Sequence, residues 1–187
     1  MQAKALSIDA AEDILVCVDS NDNVLGFKGK YECHTGEGIL HRAFSVFLFN
    51  ARSEVLLQLR APGKRLWPNY WSNSCCSHPR QGEQMEDAIQ RRLVEELGVR
   101  TSVRHLYNFE YRARYLDEGT EHELCSVAVG RVDGSPSANE HEVAKWRFVD
   151  PEELDADIAA NPDLYTPWMK MEWARIRSDY RGTIAAL

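Results

Sequence analysis

The 187-residue chain has no apolar run long enough to cross a bilayer. Its first residues, Met1-Gln-Ala-Lys-Ala-Leu-Ser-Ile-Asp9, lack the apolar stretch of a secretory signal. Cysteine is sparse and irregular: five residues, at 17, 33, 75, 76 and 125, make no disulfide framework, and the adjacent Cys75 and Cys76 cannot both serve one strand face. A reducing cytoplasm is the expected compartment. Cations are in the minority, 22 Lys and Arg against 29 Asp and Glu, for a formal net charge of −7. That balance argues against a general binder of nucleic acid or membrane surfaces, yet leaves room for a small anion held by a few local cations. Repeats, low-complexity tracts and clear linkers are missing too, so one domain over residues 1–187 is expected.

What is present reads as hairpins interleaved with helices. Ile14–Val18 predicts a strand, Asp19–Asn23 a polar turn, and Val24–Lys30 the returning partner. Ala43–Phe49 is apolar almost without a break, the pattern of a strand buried on both faces, and it leads through Asn50–Ser53 into Val55–Leu59 as a second hairpin. Between Gln84 and Leu97, Ile89, Leu93 and Leu97 recur every four residues, and Gly98 stands where a helix cap belongs. Leu106–Tyr115 and Glu121–Val132 read as strands about the turn Asp117–Thr120, and Lys145–Val149 as another. Pro151 opens a short acidic helix, and Trp168–Tyr180 forms the last one. The fold class predicted is α+β (mixed α/β), with helices flanking a central sheet.

The densest chemistry lies in Trp67-Pro-Asn-Tyr-Trp-Ser-Asn-Ser-Cys-Cys-Ser-His-Pro79. Pro68 and Pro79 each remove a donor and fix φ, which predicts a loop with a short strand around Ser72–Cys76. Taken alone, the stretch reads equally well as a buried thiol pair beside core tryptophans. The helix after it gathers Glu83, Arg91, Arg92, Glu95 and Glu96. Carboxylates so placed can hold Mg²⁺, although such a face is more often simply solvated. Glu121 and Glu123 are more telling. A strand alternates its faces, so both point one way while His122 points the other, and paired carboxylates repel unless a cation or proton lies between them. His34, His41 and His78 have no ligand spacing of their own, and each alone reads as a surface or hydrogen-bonded histidine.

The spacing Ser77-x5-Glu83-x7-Arg91-Arg92-Leu93-x-Glu95-Glu96-Leu97-Gly98-Val99 resembles the Nudix box, with two departures. Ser77 stands in place of a glycine, and Arg92 in place of a metal-binding glutamate. A fixed cation in place of an anionic ligand should cripple the usual hydrolytic metal cluster, so an inherited Nudix-like fold with altered chemistry is expected. Further blocks join it in order: Tyr31-x-x-His34, Leu40-His-Arg-Ala-Phe-Ser45, Arg60-x3-Lys64, the Trp67–Pro79 stretch, Tyr111-Arg112, Glu121-x-Glu123 and Pro167-Trp168-Met169. From about Tyr31 to Trp173 the chain resembles the type I isopentenyl-diphosphate delta-isomerases.

That resemblance implies a 1,3-allylic shift turning isopentenyl diphosphate into dimethylallyl diphosphate through protonation, a tertiary carbocation and deprotonation. It implies one divalent metal (Mn²⁺, Zn²⁺ or Mg²⁺) on His34, His41, His78, Glu121 and Glu123, and Mg²⁺ arriving with the diphosphate near Glu96. Glu123 with Tyr111 is the implied proton donor, Cys76 the base on the other side, and Trp168 the aromatic face that stabilises the cation. Lys30, Arg60, Lys64 and Arg92, with Arg91 beside them, are the implied diphosphate contacts. Trp67 and Trp71 either close the pocket or belong to the core, while His105, His122 and His141 match no ligand position. The implied partner is a small diphosphate, with neither nucleic acid nor membrane, for a monomer or weak homo-oligomer. A Nudix hydrolase of a diphosphate substrate is the alternative, and it needs a glutamate at position 92.

Overall fold

Strand β1 (Ile14–Val18) turns back into β2 (Val24–Gly29), and the short helix α1 (Lys30–Cys33) leads to the long strand β3 (His41–Phe49). There follow β4 (Val55–Arg60), the two short strands β5 (Trp71–Ser72) and β6 (Cys75–Ser77), and helix α2 (Met85–Leu97). The hairpin β7 (Val103–Tyr115) and β8 (Gly119–Arg131) precedes β9 (Val143–Val149), α3 (Pro151–Ala160), a 3₁₀ turn at Pro162–Leu164, α4 (Pro167–Asp179) and α5 (Arg181–Ala185). This computed structural model describes residues 13–187, so the N-terminal stretch read for a secretory signal lies outside the described residues. Among the described residues no helix is long and apolar enough to cross a membrane.

The nine described strands form one mixed sheet centred on β3, with helices on both faces. β3 alternates between two apolar clusters. Phe44, Val46 and Leu48 face α2, with Ala88, Ile89, Leu93 and Leu97, while Ala43, Phe47 and Phe49 face α3 and α4, with Leu154, Trp168, Met169 and Trp173. Every apolar residue of β3 is at most 2% exposed, so the unbroken hydrophobic run is explained by burial on both faces. Helix α2 ends as its sequence requires. Gly98 takes φ 65°, and the amides of Gly98 and Val99 donate back to the carbonyls of Val94 and Leu93. Asp150 caps α3, its side chain accepting from the amides of Glu152 and Glu153.

Two expectations are corrected. β3 and β4 meet only at Phe49 and Val55 instead of forming a full hairpin. β6 pairs with β3 through Phe44–Val46, and β8 runs parallel to it from His41 to Phe49, so β4 pairs along its length with β9 instead. The single strand expected around Ser72–Cys76 is two strands broken at Asn73 and Ser74. Both residues are wholly buried, and their side chains satisfy neighbouring backbone: Asn73 donates to the Cys75 carbonyl, and Ser74 accepts from Leu48 N–H.

The polar site lies where the apolar pattern of one face stops. His41 and Ser45 share the face of β3 that carries Ala43 and Phe47, and Glu121 and Glu123 share the face of β8 that carries Cys125 and Val127. The parallel register sets His41 beside Glu123, and the β3–β6 register sets Ser45 opposite Cys76.

Candidate active site

Five side chains from four segments converge at that end of the sheet. His34 follows α1, His41 opens β3, His78 follows β6, and Glu121 and Glu123 come from β8. All are buried, and one ligand atom from each lies within 4.8 Å of every other. The imidazole centroids are 4.7–5.1 Å apart. His34 Nδ1 lies 2.7 Å from the Lys30 carbonyl and His41 Nδ1 lies 2.6 Å from that of Ile39, so each Nδ1–H donates to backbone and turns Nε2 inward. His34 Nε2 then meets Glu121 Oε2 at 2.8 Å, and His78 Nε2 meets Glu123 Oε1 at 2.7 Å. For His34 that contact joins two acceptors unless the ring takes a second proton or a cation comes between. His41 Nε2 is buried with no hydrogen-bond partner. Burial pulls its pKa down to about 3, so the ring is neutral and its lone pair available. Three imidazoles and two carboxylates in this state make a donor set that fits a divalent metal.

The carboxylates are driven apart electrostatically. Burial works to raise Glu121, but the adjacent His34 outweighs it and holds the carboxyl well below its usual range. Burial, reinforced by the Glu121 charge, pushes Glu123 up to about 7. The other oxygen of Glu123 accepts a 2.7 Å hydrogen bond from the Tyr111 hydroxyl.

These groups open into a cavity of about 770 Å³, solvent at its mouth included, which Cys76 and Trp168 also line. Cys76 is half-buried, while Cys75 behind it is wholly buried in the α2 cluster, as strand alternation requires. Burial pushes the Cys76 thiol up to about 12, offset in part by Arg60, whose Nη1 is 3.8 Å from the sulfur. Trp168 is 2% exposed and its indole N–H donates to Asn73 at 3.2 Å. Trp67 packs edge-on against Trp168 at 5.2 Å and belongs to the core, whereas Trp71 lies under Arg147, and neither lines the cavity.

Lys30, Arg60, Lys64 and Arg92 all reach the same cavity, and Arg65, which the sequence did not single out, lines it too. Arg60 is braced by the carbonyls of Leu66 and Trp67, and its guanidinium lies 5.3 Å over the Trp168 ring. Arg92 pairs with Glu96 at 2.6 Å and with Glu142 at 3.1 Å, and Lys64 also pairs with Glu142. Glu96 is 1% exposed and stands outside the five-residue group. Arg91 turns away from the cavity to Glu83 and Glu95.

The NUDIX domain model matches residues 39–169. Isopentenyl-diphosphate Delta-isomerase 1 of Photorhabdus laumondii is 44% identical over 168 residues, covering 89% of this chain and 96% of that protein. The isopentenyl-diphosphate Delta-isomerase of Nocardia farcinica is 44% identical over 153 residues, covering 81% and 87%. The chain belongs to the isopentenyl-diphosphate Delta-isomerases. Among solved structures, DR0079 from Deinococcus radiodurans matches at a TM-score of 0.71 and 25% identity, covering 90% of this chain and all of that one.

The arginine at position 92 is firmly held in the fold. Its guanidinium is fastened from three sides by Glu95, Glu96 and Glu142. Two acids, the partly buried Glu142 and the wholly buried Glu172, were not singled out by the sequence. Glu142 sits in the polar run before β9, where nothing in spacing marks it. Glu172 lies one turn along α4 from Trp168 and is wholly buried, its Oε1 3.6 Å from the Cys125 sulfur. A carboxylate inside an otherwise apolar helical stripe was the available signal for Glu172.

Proposed function

We propose that the chain interconverts isopentenyl and dimethylallyl diphosphate by adding a proton to the alkene from one wall of the cavity and removing one from the carbon two positions away at another. The observation that carries this reading is the placing of Glu123 with Tyr111, Cys76 and Trp168 around one cavity that is also lined by five cations, Lys30, Arg60, Lys64, Arg65 and Arg92. Glu123 delivers the proton to the alkene carbon, leaving a tertiary cation. Cys76 accepts the proton that leaves, the C–H pair becomes the new double bond, and in the reverse direction the two groups exchange roles. Tyr111 holds Glu123 through its hydroxyl and steadies the carboxyl between its two states. The Trp168 face stabilises the cation without a lone pair to trap it, a contribution of about 2 kcal/mol at a desolvated site. The buried aromatic wall keeps out the water that would quench the cation.

Lys30, Arg60, Lys64 and Arg92 bind the diphosphate. His34, His41, His78, Glu121 and Glu123 would hold one divalent ion, Mn²⁺, Zn²⁺ or Mg²⁺, which would supply the positive charge that two neighbouring carboxylates need. Glu96 would contact a Mg²⁺ carried by the diphosphate. All five cysteines are free thiols, which suits action in the cytoplasm, on a small diphosphate and without nucleic acid, as a monomer or weak homo-oligomer of one domain.

The test is an NMR time course of isopentenyl diphosphate with protein and Mg²⁺ in D₂O, beside Cys76→Ala and Glu123→Gln. Deuterated dimethylallyl diphosphate from the wild type, with both variants nearly silent, is expected. Release of phosphate or of isopentenyl monophosphate instead would make the chain a hydrolase.

A further inference from the structure

Two cations of the diphosphate cradle, Lys64 and Arg92, are backed by a negative charge that the reaction does not call for. Glu142 reaches in from the segment before β9, where its carbonyl accepts from Ala61 N–H at 3.0 Å. One of its carboxylate oxygens meets Arg92 Nη2 at 3.1 Å and the other meets the Lys64 ammonium. Glu96 Oε1 rests on the same Nη2 at 2.6 Å. These four side chains are between 1% and 13% exposed, so solvent screens them poorly. In the buried part of the cluster two cations face two carboxylates, and the more exposed Glu95 adds a third carboxylate on Arg92 at 2.8 Å, so this part of the cradle offers a bare anion no excess of positive charge.

Both signs of the cluster also have an unmet group. Arg92 Nε is buried with no hydrogen-bond partner, a donor lacking an acceptor. Gln58 donates to Glu96 through Nε2 at 3.2 Å, while its Oε1 is buried without a partner, an acceptor lacking a donor or cation. An anion alone meets the first need and is repelled by Glu142 and Glu96. An anion bearing its own divalent cation is repelled less, because the metal offsets the charge of its oxygens.

We propose that Glu142 is a specificity-determining residue that makes the cradle select a metal-complexed diphosphate over the naked one. This rests on the reading of the cavity as a diphosphate site. Without Glu142 the cradle gains one net positive charge and accepts the bare anion.

The experiment is calorimetric titration of the full chain with inorganic pyrophosphate, once in chelator and once with excess Mg²⁺, for wild type, Glu142→Gln and Glu142→Asp. For the wild type, Mg²⁺ is expected to tighten binding at least tenfold. In Glu142→Gln the affinity in chelator should rise about tenfold, so the Mg²⁺ enhancement shrinks, while Glu142→Asp keeps the wild-type ratio because it keeps the charge. Glu142→Ala is a second neutral variant, giving the same readout should Glu142→Gln not fold. Unchanged or weaker binding in chelator by the neutral variants would overturn the proposal and leave Glu142 as a clamp on Lys64 and Arg92. Absence of pyrophosphate binding by every protein, with or without Mg²⁺, would instead overturn the diphosphate reading and the proposal with it.

Discussion

Replacing Glu172 by Gln should change the way stability depends on pH, by an amount the structure lets one work out. The carboxyl is wholly buried against Cys125 and Ser45, and its Oε2 has no hydrogen-bond partner. Burial, aided slightly by the charge of Glu123, raises its pKa from 4.5 to about 8. Below pH 4.5 the acid is protonated in folded and unfolded chains alike and its ionisation costs nothing. As pH rises past 4.5 the unfolded chain sheds its proton while the folded one retains it, so stability falls steadily until the folded acid also ionises near pH 8. At about 1.4 kcal/mol for each pH unit between the two values, the loss approaches 5 kcal/mol, of which roughly 3 kcal/mol has gone by pH 7. Gln does not titrate, so whatever packing offset it introduces is constant with pH. Urea unfolding of both proteins in the same chelator at pH 5 and pH 8 isolates the effect. Glu172→Gln should gain several kcal/mol relative to wild type between the two conditions. A difference between the proteins that is the same at both pH values would refute the buried, protonated carboxyl.

Three further outcomes follow from local geometry. A Cβ on Gly119 would lie 2.3 Å from the His34 carbonyl, so Gly119→Ala must push His34 aside and should weaken Mn²⁺ affinity tenfold or more by titration calorimetry. Arg92→Met leaves Glu96 buried and unpaired and should cost about 3 to 5 kcal/mol in urea unfolding, with part regained in Arg92→Met/Glu96→Gln. Asp150→Ala removes the cap of α3 and should cost about 1 kcal/mol, seen as a lower Tm with the metal affinity unchanged.

Local rules carried the sequence reading furthest where one element decides the outcome. Gly98 ends α2 because only the left-handed conformation lets both amides turn back. Glu121 and Glu123 share a face because strand geometry leaves no other choice. The likeness of ordered motifs then supplied what spacing could not, namely that His34, His41 and His78 meet those carboxylates. What stayed hidden depends on pairing between distant strands. No local pattern announces that β8 lies parallel to β3, or that β4 leaves β3 for β9. Glu142 was equally opaque, since its importance comes from Lys64 and Arg92, fifty residues or more away in the chain.

The five-residue group has a bearing on how the chain can be wrong. Its ligands bridge α1, β3, the turn after β6, and β8, so it exists only when the β3–β8 register is correct. A slip of one residue along β8 would carry Glu121 and Glu123 together to the opposite side of the sheet and bring His122 in their place. A misregistered chain would therefore lose both carboxylates of the donor set at once. A divalent ion bound by this group would then act as a proofreading signal for the long parallel pairing of β3 and β8, favouring correctly zipped chains over near misses of similar apolar burial.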